Sequence, residues 1–161
     1  MIGRKLCSFL FNMLIGINIK LLIPFRALLL RLSGAVVGEN LKINSLVVID
    51  YPWRLTFGNH VSVNQFSKVS AIGYITIGDR VSIAHGVSIL SATHPASRNF
   101  KFDPLITRKI EIGSDVWIGA NSTIMASIGD SCVIGAHSLV SCDITEPGVY
   151  VGVPARKVKE L

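Results

Sequence analysis

The chain has 161 residues, half of them hydrophobic but only 7% aromatic, and 16 Lys and Arg against 10 Asp and Glu give it a formal net charge of +6. That length fits one domain with a short appendage, and that composition fits a core of stacked aliphatic side chains. Cys7, Cys132 and Cys142 are an odd number in no metal-ligand spacing, which excludes a disulfide framework and a structural zinc site and leaves reduced cysteines of a cytosolic protein; nor is there a zinc-finger spacing, an aromatic platform motif or a basic recognition helix to point to nucleic acid.

Residues 1–33 differ from everything after them. Residues 6–19 are uncharged and apolar, Lys20 interrupts, and residues 21–32 continue with Pro24, Arg26 and Arg31. Helical periodicity runs on both sides of Pro24, which should kink or break it. Arg4, Lys5, Lys20, Arg26 and Arg31 all precede the first acid, Glu39. A secretory signal would need a small-residue cleavage site, and the sequence has none there. A membrane span needs roughly 20 apolar residues in a row, more than the uncharged run supplies. The expectation is one or two helices covering the first coil of the chain beyond residue 33 or the flank of a neighbouring subunit. Residues 1–31 would also suit peripheral association with the anionic inner leaflet of the plasma membrane.

From Val37 onward a pattern of six takes over. Apolar residues recur at Val37, Ile43 and Ile49, at Phe57, Val63 and Val69, at Ile77, Ile83 and Ile89, at Ile112, Ile118 and Ile124, and at Ile128, Ile134 and Val140. Gly or Ala usually comes next, as in Gly78, Gly113, Gly119 and Gly135, and a small or β-branched residue comes four later, as in Val81, Val87, Val116 and Cys132. A strict six fits neither the helix period nor a hairpin meander, and it predicts a parallel β-helix in which each hexad is one face plus one corner. Glycine is expected at the corner for its access to positive φ. The phase slips by eight before Phe57 and before Ile77 and by four before Ile128. Even slips keep the same side chains inward. The jump from Ile89 to Ile112 is odd, so residues 95–109 should leave the coil as a loop, with His94 at its base. The predicted division is a helical segment at 1–33, the β-helix at 34–154 with its active-site loop at 95–109, and a basic tail at 155–161.

Several of these stretches resemble a known family. The coils are similar to those of the hexapeptide-repeat acyltransferases, whose left-handed β-helices normally form homotrimers. Ala92-Thr93-His94-Pro95, Asp115-Val116-Trp117-Ile118-Gly119-Ala120 and Gly152-Val153-Pro154-Ala155-Arg156 look like the galactoside and maltose O-acetyltransferases. Residues 51–58 (Tyr-Pro-Trp-Arg-Leu-Thr-Phe-Gly) and 102–106 look more like acetyltransferases of capsule, O-antigen and exopolysaccharide assembly, the colanic-acid type included. The resemblance implies a left-handed parallel β-helix and transfer of acetyl from acetyl-CoA to a sugar hydroxyl, with no metal. It implies His94 as general base and the Ala120 N–H as oxyanion donor. Asn64, Asp103 and Trp117 would meet the acceptor. Ala120, Ala136, Ser141, Cys142 and Arg156 would hold coenzyme A, with Lys157 and Lys159 adding charge for its phosphates.

Two features depart from the family pattern. The Gly-x-Glu that galactoside-type enzymes carry before the coil after the loop is replaced by Phe102-Asp103-Pro104, so the resemblance does not name the acceptor. Where relatives read Pro-Gly-Val-Thr, this chain has only Ala126-Ser127, a corner cut by two residues beside the coenzyme channel. Two rival readings stay open. One is a catalytically degenerate trimeric scaffold of glycan assembly. The other is a zinc-dependent relative of carbonic-anhydrase type, which needs three converging histidines. His60, His85 and His137 fall at corners, where polar side chains face solvent.

Overall fold

A computed structural model of the chain describes Leu6, Cys7, Phe9, Leu10 and residues 23–97 and 103–161. The expectations resting on Arg4, Lys5, Lys20 and Phe102 lie outside those residues. Beyond helix α1 (Ile23–Leu32), the chain winds as a left-handed parallel β-helix of about six turns.

Three faces make the prism. The first stacks β1 (Val36–Val37), β4 (Leu55–Phe57), β7 (Ile75–Ile77) and β12 (Ile110–Ile112). The second stacks β2 (Lys42–Ile43), β5 (Ser62–Val63), β8 (Ser82–Ile83), β13 (Trp117–Ile118), β15 (Cys132–Ile134) and β17 (Gly148–Val151). The third stacks β3 (Val48–Asp50), β6 (Lys68–Ser70), β9 (Ser88–Leu90), β14 (Thr123–Ile124) and β16 (Leu139–Val140). A hairpin of β10 (Ala92–Thr93) and β11 (Ile106–Thr107) leaves the prism between the third and first faces. The last strand, β18 (Arg156–Lys159), lies where the sequence suggested a tail and runs antiparallel to β17, closing the edge of the second face.

Pairing fixes the coil lengths. Val37 pairs with Phe57 and Phe57 with Ile77, so the early coils take 20 residues (37 to 57, 57 to 77). Ile77 pairs with Ile112 across the hairpin, and Ile112, Ile128 and Ile144 then bridge at intervals of 16 (112 to 128, 128 to 144). Whatever the coil length, the same positions point inward: Ile43, Val63, Ile83, Ile118 and Ile134 share the second face and are 0% exposed. Each such aliphatic contributes roughly 1.5–3 kcal/mol of burial.

Glycine has a different purpose from the one the sequence suggested. Gly58, Gly78 and Gly113 stack so closely that a Cβ on Gly58 would lie 2.7 Å from the carbonyl carbon of Gly78, and one on Gly78 would lie 2.8 Å from that of Gly113. None of the three has positive φ; the left-handed turn comes two residues later, at His60 (φ 58°), Arg80 (φ 55°) and Asp115 (φ 58°). At these three positions glycine is therefore needed for the close approach of successive backbones rather than for its dihedral freedom.

The first coil is closed by arginine. The peptide whose N–H donates to Phe57 O, at Gly38, turns its carbonyl (Val37 O) away from the stack, and the peptide at Asn44 does the same with Ile43 O. Such edge carbonyls need donors. Arg26, 2% exposed, donates from α1 to Ile43 O at 3.2 Å, and Arg31 donates to Val37 O at 3.2 Å and Gly38 O at 3.0 Å. Two cations of the N-terminal arm thus face the coil. Among the described residues no helix is long and apolar enough to cross a membrane.

Separating the two glycine roles gives a test. Gly78→Ala should cost about 1–3 kcal/mol, because the backbone it strikes has no room to move. His60→Gly, which relieves a left-handed side-chain residue, should be close to neutral. Urea denaturation of both variants checks the pair; equal losses would return the dihedral explanation.

Candidate active site

The third-to-first corner carries the chain's departures from the repeat. It holds Tyr51–Arg54 in the first coil, 71–74 in the second, the excursion 91–109 in the third, then 125–127 and 141–143. Ser91 anchors the excursion: its side chain is 0% exposed, and its hydroxyl donates to Ser70 O at 2.8 Å and accepts the Gly73 N–H at 2.8 Å. The hairpin pairs Ala92 with Thr107 and Thr93 with Ile106, which sets His94 just beyond the stem and exposed. Asp103, on the return, accepts a hydrogen bond from Ser97 Oγ.

The shortened corner is closed by charge. Asp143 accepts the Ser127 N–H at 2.8 Å and receives Arg108 Nη2 at 2.7 Å, so the residue after β11 is tied past the two-residue corner to the next coil. The Ser127 N–H, and then Arg108, hold the Asp143 carboxyl below the usual carboxylate range.

Asn64, Ala120 and Ala136 lie at a different corner, between the second and third faces. Asn64 accepts from Asn44 Nδ2 at 2.9 Å and donates to Ile83 O at 2.9 Å, which leaves one amide hydrogen and a lone pair for a ligand among the described residues. Ala120 accepts the His137 N–H at 2.8 Å through its carbonyl, while its own N–H meets no acceptor among the described residues. Ala136 lies one coil on and is exposed, and Trp117 stands 55% exposed on the adjoining second face. A whole face therefore separates His94 from Asn64, Trp117 and Ala120 within one chain.

Ser141, Cys142, Arg156 and Lys157 do come together, around a pocket of about 210 Å³ that Tyr150 and Glu146 also line. The pocket is large enough for one end of a coenzyme. Lys157 Nζ sits 2.8 Å from Glu160 and 3.2 Å from Glu146, and those carboxylates raise its pKa. Its charge is thus met within the chain, whereas Arg156 and Lys159 pair with no carboxylate among the described residues. Cys132 is fully buried, and that burial pushes its thiol pKa up. No group of three His, Cys, Asp or Glu among the described residues is placed to hold a metal.

Sequence reasoning missed the contacts made between coils. Arg80 grips Asp115 at 2.6 and 2.7 Å, and Arg54 lies over the rings of Tyr51 and Tyr74 at 5.6 and 5.3 Å. The signal was available in part: with 20-residue coils Arg54 and Tyr74 stack, as do Asn44 and Asn64.

No protein-family model matches the chain. It is 33% identical over 144 residues, 88% of its length and 78% of the relative's, to an Escherichia coli K12 protein named as a colanic acid biosynthesis acetyltransferase. It is 35% identical over 140 residues to the galactoside O-acetyltransferase of the same strain, spanning 84% of this chain and 68% of that one. Among solved structures, a galactoside acetyltransferase in complex with coenzyme A matches with a TM-score of 0.88 at 30% identity, covering 98% of this chain and 80% of the other. A maltose O-acetyltransferase from Clostridium difficile 630 matches with a TM-score of 0.82 at 29% identity, covering 99% and 86%.

The Asp143 link carries a pH-dependent prediction. Because the folded pKa is lowered, the contribution is present above the unfolded-state pKa and is lost as pH falls through the folded value. Half exposed, the pair should be worth at most about 1 kcal/mol. Asp143→Asn should therefore be slightly less stable than the parent in urea at neutral pH and equal to it once the carboxyl is protonated. A difference that persists in acid would contradict a role for the Asp143 charge.

Proposed function

The chain belongs to the hexapeptide-repeat sugar O-acetyltransferases, and from that premise we propose that it acetylates a saccharide hydroxyl in surface polysaccharide assembly with His94 as general base. It is an acetyltransferase that uses acetyl-CoA. Acetyl-CoA supplies an activated acyl carbon. His94 accepts the proton of the attacking hydroxyl, so that the new C–O bond forms without a free alkoxide. The Ala120 N–H steadies the carbonyl oxygen as negative charge builds on it. The protonated imidazole then returns the proton to the departing sulfur as the C–S bond breaks. Asn64, Asp103 and Trp117 orient the acceptor. Ser141, Cys142 and Arg156 hold the coenzyme at the C-terminal pocket, with Ala136 and Lys159 beside its path; Lys157 contributes by neutralising Glu146 and Glu160 there.

The observation that carries this reading is the separation of the two half-sites. His94 projects from one corner, while Asn64 and the Ala120 N–H, which meets no acceptor among the described residues, stand at another. A homotrimer that sets the hairpin corner of one subunit against that other corner of its neighbour completes three sites from these halves. The Escherichia coli relative named for colanic acid biosynthesis supports a polysaccharide-linked acceptor.

His94→Ala should lower turnover by about 10²–10⁴-fold with coenzyme affinity nearly unchanged. A thioester-release assay over a panel of sugars and lipid-linked intermediates reads it, and retained turnover would end the assignment. Sharing between subunits has its own test. Chains carrying His94→Ala and chains carrying Asn64→Ala, each defective alone, should recover activity when co-assembled. A site contained in one chain would recover none.

A further inference from the structure

Three aromatic rings on the hairpin corner have no place in the acetyl-transfer chemistry. Tyr51 is 40% exposed, Trp53 38% and Tyr74 56%. The Tyr51 and Trp53 rings meet edge to face, with centroids 5.6 Å apart and planes at 69°. The Arg54 guanidinium lies 5.6 Å from the Tyr51 centroid and 5.3 Å from that of Tyr74, and Arg54 also donates to Ile72 O. A single 3₁₀ turn, Pro52–Arg54 with Pro52 buried, fixes the first two rings, and Arg54 N donates to Tyr51 O at 2.9 Å. The rings are therefore locked from behind by a cation and a buried proline, while much of their surface stays open to solvent.

We propose that this corner is a saccharide-stacking platform, which binds the chain of an oligo- or polysaccharide acceptor whose reacting residue lies at the hairpin, one coil beyond Tyr74 and two beyond Tyr51 and Trp53. The proposal rests on the acetyltransferase reading and extends it from a sugar to a glycan chain. Continuity with the hairpin supports it. Gly73 N donates to Ser91 Oγ at 2.8 Å, Arg108 N donates to Ser91 O at 3.0 Å, and Ile110 N donates to Tyr74 O at 3.0 Å. A Cβ on Gly73 would lie 2.4 Å from Arg108 O, so the platform packs directly under the hairpin base. One coil is a rise of only about 4.8 Å, comparable to the advance of a sugar residue along a chain.

The ring chemistry points the same way. A pyranose presents C–H bonds on its flat face and hydroxyls at its rim. Tyr and Trp match it with an apolar face and a polar edge. Rings held in place beforehand lose little entropy on binding. Stacking of this kind tolerates variation in the sugar, because every pyranose has such a face; Arg54 adds attraction for uronate or phosphate substituents.

The test uses the full chain with glucose, maltohexaose and a galacturonate hexasaccharide, read by saturation-transfer NMR and calorimetry. At least one hexasaccharide should bind at concentrations up to about 10 mM, glucose about tenfold or more weakly, and Trp53→Ala/Tyr74→Ala should lose about tenfold in hexasaccharide affinity. The single variant Tyr74→Ser, which leaves the proline turn intact, should lose part of it. Acetyl-CoA affinity and thioester release with a monosaccharide acceptor should not change in either. Failure of both hexasaccharides to bind, or equal binding by the double variant, would overturn the platform. So would a change of oligomeric state in the double variant by sedimentation, which would make the rings a contact between copies. His94→Ala should still bind the hexasaccharide. A chain that binds glycan through these rings while His94→Ala keeps its turnover would sink the catalytic assignment and leave the platform standing.

Discussion

Each coil must hand the chain to the strand above with the same side chains facing inward, and the rest of the molecule depends on that parity. Ile83 can sit over Val63 and under Ile118 only if the residues between them, however many, restore both position and face. Within a strand nothing can be added or removed without turning the core outward. Variation is therefore confined to corners, and there to even steps or to excursions that leave the coil and return. One corner takes up that freedom: it carries the aromatic turn, the hairpin and the shortened Ala126-Ser127 bend in succession.

The same constraint explains how the site is supported. A hairpin rising from a surface loop would sample many positions. This one starts at Ser91, buried and hydrogen bonded to the coil beneath, and returns through Arg108, which meets Asp143 on the far side of the shortened bend. With the bend only two residues long, the Asp143 carboxylate of a later coil meets both the bend and the hairpin. The departure from the family pattern thus coincides with a contact between the hairpin and a later coil.

Much of the fold was legible in the sequence, because inward positions in a β-helix repeat in number as well as in kind; Ile77 through Val140 announce themselves. The reason for glycine was not legible, since recurrence shows that a Cβ is unwelcome but not whether a dihedral or a neighbouring backbone rejects it. Its place at the base of the one odd interruption is what singled out His94 as a candidate. What could not be read was which other candidates share its corner. Sequence order runs round the prism, so Asn64 and Ala120, 56 residues apart (64 to 120), lie on one corner, while His94 between them in order lies on another. The pairing of Lys157 with Glu146 was hidden for a similar reason, as it depends on β18 folding back along β17.

A parallel β-helix is a one-dimensional crystal of coils, and both its ends are growth faces. Any second molecule whose end coil matched could add to an open first turn and leave the same face exposed for the next, so the fold carries a route to fibres within it. The guanidinium groups of Arg26 and Arg31 occupy the carbonyls that such an arrival would need, and β18, running antiparallel, offers the wrong polarity at the other end. The N-terminal helix thereby poisons a growth face and keeps the stack at a finite number of coils.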